Sequence, residues 1–124
     1  MASKFFVVQH YVKPGQADAW WGKVSAILGN EASVEAMTQA HLEHGFFNHT
    51  FMPSSKEGPI FCVWEAREDL TIEDFQTFID GPDGVNMGLP ALHNIIHQLD
   101  TDLTGGQVPF DNNSPYLGFT DTAQ

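Results

Sequence analysis

The chain has 124 residues, 42% of them hydrophobic, and carries a formal net charge of −11 from 16 acidic and 5 basic residues. This length is typical of a single domain, and this composition excludes the disordered class. The acidic field repels phosphate groups, so we expect neither nucleic acid nor an anionic membrane as a partner.

The first third of the chain predicts one strand followed by two helices. Residues 5–12 are rich in β-branched and aromatic side chains and end at a Lys-Pro-Gly turn, which is typical of a strand. The next segment predicts a helix that stops at Gly29, because its apolar residues recur with helical spacing. That stripe consists of Trp20, Val24, Ile27 and Leu28. A second helix is predicted from a Ser33 cap to Gly45.

The rest of the chain predicts three more strands and one helix. Residues 46–52 and 60–67 form an antiparallel hairpin around a polar loop, by their β-branched and aromatic content. Thr71 caps the next helix, and Asp74 completes a capping box three residues later. Residues 92–99 predict the last strand, although a helix is possible there.

This order of elements predicts an α+β fold of the ferredoxin-like, split βαβ type. We expect one domain over residues 1–103, with a four-stranded antiparallel sheet and helices on one face, and a C-terminal arm over residues 104–124. The second face also carries apolar side chains, so a second copy should cover it and form a homodimer. Aromatic residues in the arm favour docking over a disordered end, although both remain open.

Each predicted strand places an ionisable group among apolar residues that share its face. These groups are His10, His49, Glu65, His93 and His97. If the four strand faces coincide, the groups converge between the sheet and its partner. Imidazoles with one carboxylate suit zinc, nickel, copper or iron, so a metal site is one prediction. The alternative is that each histidine is an ordinary structural residue with protein partners.

The segment FFNHTFMPSSKEGPIFCVWEA, residues 46–66, resembles the central hairpin of the small nickel-binding proteins of the dimeric α+β barrel superfamily. The first strand, which ends near His10, is similar too, and the resemblance spans residues 4–70. It implies a ferredoxin-like dimer that holds a metal, nickel or zinc, largely through histidines. The residues that it carries over are His10 and His49, with Glu65 as a further candidate.

The same superfamily includes cofactor-independent monooxygenases and isomerases that act on small hydrophobic or aromatic compounds. A pocket lined by aromatic side chains and Asn48 would suit such a ligand. In that alternative His49 or Glu65 is a general base. A third possibility is a non-catalytic dimeric binding module.

The compartment is predicted from what the sequence lacks. Cys62 is the single cysteine, so no internal disulfide can form. The start of the chain lacks the pattern of a secretory signal, and no apolar run has the length of a membrane span. We therefore expect a soluble, cytoplasmic protein.

Overall fold

The computed structural model describes residues 3–112 and 114–116. Its strands form one antiparallel sheet. They are β1 (Lys4–Val12), β2 (Phe46–Asn48), β3 (Met52–Pro53), β4 (Ile60–Ala66) and β5 (Leu92–Gln98). The helices are α1 (Ala17–Leu28), α2 (Glu31–Glu43) and α3 (Ile72–Asp80), followed by a 3-10 turn at Thr101–Thr104. Within these ranges no helix has the length and apolar character needed to cross a membrane.

The strands lie in the order β2-β4-β1-β5, and β3 pairs with β4 beside β2. The chain passes through α1 and α2 between β1 and β2, and through α3 between β4 and β5. β1 is therefore a central strand, and it pairs with β4 on one side and with β5 on the other. The predicted α+β class and antiparallel sheet are confirmed.

The segment 46–52 differs from the single strand that the sequence predicts. It is divided into β2 and β3, which gives five strands instead of four in the described part of the chain. The cause is local hydrogen bonding between the two pieces. The Asn48 side chain accepts a bond from the Thr50 amide, and the Thr50 hydroxyl accepts one from the Val63 amide. A side chain thus replaces a backbone carbonyl in the ladder, and regular pairing stops for these residues.

The ends of the helices follow their capping residues. α3 has the predicted capping box, in which Thr71 and Asp74 each bond the other's backbone amide. α2 begins one turn earlier than predicted, because Asn30 is the cap and its side chain accepts a bond from the Ser33 amide. α2 is followed at Gly45 by a residue with φ of +91°, a conformation that favours glycine.

The sheet has one face toward the helices, and this side contains the hydrophobic core. The pairing register puts the even-numbered residues of β1 and β4 on this side. The buried residues are Phe6, Val8, Val12, Ile60, Cys62, Trp64 and Ala66. α3 packs here through Phe75, which stacks on Phe6 at 4.6 Å, and α2 through His41, whose ring lies 5.1 Å from that of Trp64. The odd-numbered residues point away from the helices, toward a second face.

Candidate functional site

The structure does not bring the five predicted metal ligands together at one site. His10 pairs with Ile60 and Asn94, and it lies on the helix-facing side with Val8 and Val12. Glu65, His93 and His97 occupy odd-numbered positions of the register and lie on the opposite face. His49 follows β2 and contacts Glu65 on that face. The condition that all four strand faces coincide is therefore not met, and His10 is on the opposite side of the sheet from His49 and Glu65.

His93 and His97 also lie apart from the other predicted ligands. Both are exposed on β5, where they pair with Tyr11 and Val7 of β1. Residues four apart in a strand are separated by about 13 Å, so these two imidazoles are too far apart to bind one ion together. β5 is also separated from Glu65 by the whole width of β1.

His49 and Glu65 are the two predicted residues that the fold brings together. His49 Nε2 lies 2.8 Å from Glu65 Oε1, and their side chains are 2% and 0% exposed. The other carboxylate oxygen, Oε2, accepts hydrogen bonds from the Ser3 hydroxyl, at 2.5 Å, and from the Ser114 hydroxyl. A buried carboxylate with three donors around it is well satisfied.

Aromatic rings surround the His49 imidazole. Phe110 stacks on it at 4.6 Å with an interplanar angle of 8°, and Phe5 stacks at 6.1 Å and 28°. Phe47 meets the ring edge-on at 4.8 Å. Two residues of the C-terminal arm cover the pair: Phe110 stacks on His49, and Ser114 donates a hydrogen bond to Glu65. The predicted docking of the arm is confirmed for its described part, onto the sheet of its own chain, whereas Leu117 and Phe119 lie outside the described residues.

The arrangement around Glu65 does not fit a metal site within one chain. Both carboxylate oxygens already accept hydrogen bonds from His49 and the two serines. Among residues 3–112 and 114–116, no three histidine, cysteine, aspartate or glutamate side chains are grouped so that they could hold an ion. A structural zinc site usually has four protein ligands, and a catalytic one has three.

His10 belongs to a separate polar chain inside the helix-facing core. It is 1% exposed, and its Nδ1 lies 2.5 Å from Asn94 Oδ1. The Asn94 amide nitrogen in turn donates to Asp80 Oδ1 at 2.9 Å and to the Ile79 carbonyl at 3.2 Å. Burial lowers the pKa of His10, while the Asn94 bond and the charge of Asp80 act in the opposite direction. The imidazole is therefore neutral near pH 7.

An apolar cavity of about 80 Å³ opens on the same helix-facing side, between the sheet, α1 and α2. Its lining consists of Trp20, Val24, Ile27, Leu28, Met37, Asn48, Phe51, Val85 and Met87. Asn48 is the polar side chain of this set, and the Trp20 indole N–H already donates to the Val85 carbonyl at 2.8 Å. Phe51 is 37% exposed and Leu28 54% exposed, so the rim of the cavity is apolar too.

Sequence reasoning missed two groups of residues at these sites. Asn94 and Asp80 had no signal in the sequence, because their link to His10 depends on strand pairing across 84 residues. Ser114 was missed because its contact with Glu65 joins the C-terminal arm to a strand 49 positions earlier. His41, in the last turn of α2, is 4% exposed, and its pKa is lowered to about 4 by burial and by nearby His44. Cys62 is buried in the core, and burial raises its pKa to about 12.

The fold and these two sites define a small α+β protein with a helix-covered sheet, a buried His–Glu pair and an apolar cavity. The chain belongs to a family described as a domain of unknown function, DUF8652, whose model matches residues 5–107. No curated protein and no solved structure matches the chain. The family description assigns no activity.

Proposed function

We propose that this protein binds a small hydrophobic compound in the cavity between the sheet and the helices. The observation that carries the proposal is the composition of the cavity wall, which is apolar except for Asn48. Ligand pockets are typically apolar, with few polar groups that fix orientation. An aromatic compound would bind most tightly, because its ring can pack against the rings of Trp20 and Phe51.

The size of the cavity limits the ligand. Its volume of about 80 Å³ is well below the roughly 300–1,000 Å³ of pockets for drug-sized molecules. The ligand is therefore the size of one ring, or it extends through the opening past Leu28 and Phe51. The exposed part of these two side chains offers apolar contact to whatever projects from the cavity.

Binding is better supported than catalysis by His49 or Glu65. Both residues lie on the sheet face that points away from the helices, and the cavity lies on the other face. They are also covered by Phe110 and Ser114 of the arm. A general base must come within hydrogen-bond reach of the proton that it removes. The monooxygenase or isomerase alternative would thus need a different base.

The ferredoxin-like assignment and the homodimer are part of this proposal. The order β2-β4-β1-β5, with helices between β1 and β2 and between β4 and β5, supports the split βαβ arrangement. On the second face, Tyr11 and Ile95 are 37% and 36% exposed among the described residues, and they could meet a second copy. Sedimentation equilibrium at micromolar concentration tests the dimer, and a strictly monomeric mass would contradict it.

The lone, buried Cys62 supports a reducing, cytoplasmic compartment.

Toluene is a suitable probe of the cavity. We expect it to raise the Tm of the protein, because a ligand that binds the folded state stabilises it. Val85→Phe, which places a ring in the cavity wall, should abolish this rise. Val7→Phe is the matched control, since Val7 is half-buried on the opposite sheet face, and it should keep the rise. A wild-type Tm that does not respond to toluene, or an equal response in all three proteins, would contradict the proposal.

Transition-metal binding is the second candidate, and His49 beside Glu65 is the observation that favours it. These two side chains supply two ligands, and an ion would need further ligands from outside the groups that one chain assembles. Elemental analysis of untagged protein for nickel and zinc tests this candidate. A stoichiometric metal that is lost in His49→Ala and retained in His97→Ala would support it. Protein without metal would leave the hydrophobic ligand as the sole proposal.

A further inference from the structure

A second, polar cleft lies where α3 ends and β5 begins. Its volume is about 600 Å³, within the roughly 300–1,000 Å³ that is typical of small-molecule sites. The polar part of its lining includes Lys13, Gln76, Asp80, His93 and Asn94. The cleft and the apolar cavity share no described lining residue. The cleft is therefore a separate site, and its ligand is a question beyond the proposed function.

Two amide side chains hold the Asp80 carboxylate in place at the end of α3. Asn94 Nδ2 donates to Oδ1 at 2.9 Å, and Gln76 Nε2 donates to Oδ2 at 2.7 Å. Asn94 is itself fixed from the core, where its Oδ1 lies 2.5 Å from His10 Nδ1. Each carboxylate oxygen can accept a further bond, and Asp80 is exposed. The cleft thus contains a preorganised carboxylate with accessible acceptor sites.

This end of the cleft favours a positive charge. α3 is described throughout and has no basic side chain in its last turn, so the negative end of its dipole adds to the charge of Asp80. The net charge of −11 also attracts cations. An ammonium group has three donors and no acceptor, and it therefore matches the carboxylate.

Lys13 gives the same cleft a positive charge. It follows β1, and its backbone amide donates to the Ala91 carbonyl at 2.7 Å, beside the start of β5. Among the described residues, neither Lys13 nor Asp80 takes part in an ion pair, so the two charges do not neutralise each other. A purely cationic ligand would be repelled by Lys13, and a purely anionic one by Asp80. A ligand with both charges avoids both penalties.

We infer that the cleft binds a small zwitterion of the amino-acid type, with its ammonium group on Asp80 and its carboxylate on Lys13. The remaining wall of the cleft includes an apolar strip, which consists of Leu89, Pro90 and Leu92. The preferred zwitterion therefore carries an apolar side chain.

L-Leucine and two of its derivatives are the matched probes. N-Acetyl-L-leucine lacks the ammonium charge, and L-leucinamide lacks the carboxylate. In isothermal titration calorimetry we expect each derivative to bind about tenfold more weakly than leucine, or weaker still, which is the effect of losing one charge-assisted hydrogen bond. NMR locates the site, because leucine should shift the side-chain amide resonances of Gln76 and Asn94, which hold Asp80.

Two variants separate the two contacts. Lys13→Met should bring the affinities for leucine and leucinamide together, while N-acetyl-leucine stays weaker. Asp80→Asn should bring leucine and N-acetyl-leucine together, while leucinamide stays weaker. Lys23→Met and Asp18→Asn are the charge-matched controls, since both residues are exposed on α1 and outside the described lining of the cleft. Both controls should keep the wild-type affinity ratios.

The wild-type protein and Lys13→Met decide the question even if Asp80→Asn does not fold, because Lys13 is exposed. A derivative that binds the wild-type protein as tightly as leucine would show that the cleft does not recognise both charges, and would overturn the inference. The inference is also wrong if leucine does not bind, if leucine leaves the Gln76 and Asn94 amide resonances unmoved, or if Lys13→Met keeps the wild-type ratio of leucine to leucinamide affinity.

Discussion

His49 and Glu65 form a buried pair in which the imidazole Nε2 lies 2.8 Å from the carboxylate Oε1. The pair joins the residue that follows β2 to the neighbouring strand β4, and the C-terminal arm covers it through Phe110 and Ser114. Its position beneath the arm gives it a structural role, which is to anchor the arm to the sheet. The first two predictions concern this anchor.

Glu65→Gln should destabilise the fold by about 1–3 kcal/mol, the cost of leaving buried donors without an acceptor. The amide keeps the shape of the carboxylate but replaces one accepting oxygen with a donating nitrogen, opposite His49 or the serines. Urea unfolding at pH 7 measures the change. Glu68→Gln is the matched control, because Glu68 is exposed, and its effect should stay within about 0.5 kcal/mol. Equal effects in both variants would argue against the anchor.

Phe110→Ala should lower stability by about 1–2 kcal/mol, since Phe110 is half-buried and loses its stacking on His49. Leu103→Ala is the control in the same part of the chain, because Leu103 is 84% exposed and should be nearly neutral. Hydrogen exchange of the arm amides gives an independent test. Random-coil exchange rates in the wild-type arm would show that it does not dock.

Stability should fall as the pH is lowered from about 6.5 to about 4, because of His41. Burial depresses its folded-state pKa to about 4, against 6.5 in the unfolded chain. In that window the unfolded state binds more protons, so acid favours unfolding, by about 2–3 kcal/mol at the lower limit. His41→Phe should flatten this part of the profile of unfolding free energy against pH. An unchanged slope in the variant would contradict the assignment to His41.

The lowered pKa of His10 also makes the stability fall as the pH is lowered. The lowered pKa of Asp74 affects the stability in a different, more acidic pH range. The hydrogen bonds from Thr71 lower the pKa of Asp74 below 3.8, so its contribution is present at neutral pH and is lost below that value. The histidine effect above pH 4 can therefore be separated from this carboxylate.

Thr71→Ala should cost about 1 kcal/mol, the usual loss when a helix N-cap is removed. Alanine removes the Thr71 hydroxyl that accepts the bond from the Asp74 amide, whereas the Thr71 amide, which donates to the Asp74 carboxylate, remains. Thr77→Ala is the control within the same helix. Thr77 is exposed in the interior of α3, where alanine is the better helix former and should stabilise by a few tenths of a kcal/mol. Thermal unfolding of the two variants should move in opposite directions.

Local patterns in the sequence predict most of the elements. The alternation and β-branched content of residues 5–12 and 60–67 predict β1 and β4 to within one residue. The Thr71 capping box predicts the start of α3. These signals are local, since they depend on spacing within a few residues. The break at His49 was not predicted, because the Thr50 hydroxyl replaces a carbonyl only once β4 is alongside.

The candidate sites depend on long-range register, which a single sequence does not contain. Parity shows that His10 shares a face with Val8, and that Glu65 shares one with Val63. It does not show that β1 and β4 pair Val8 with Cys62, which puts His10 and Glu65 on opposite faces. The cavity depends in addition on how α1 and α2 lie over the sheet. The pair His49–Glu65 could be anticipated as neighbours, because both were predicted in adjacent strands.

A crystal structure of the protein soaked with bromobenzene tests the central claim most directly, since anomalous scattering locates the bromine atom without ambiguity. The account predicts a bromine peak in the cavity, among Trp20, Phe51 and Met87. The peak should be absent in Val85→Phe and present in Val7→Phe. A cavity without bromine in the wild-type protein, or a peak only on the sheet face that carries His49 and Glu65, would contradict the proposal.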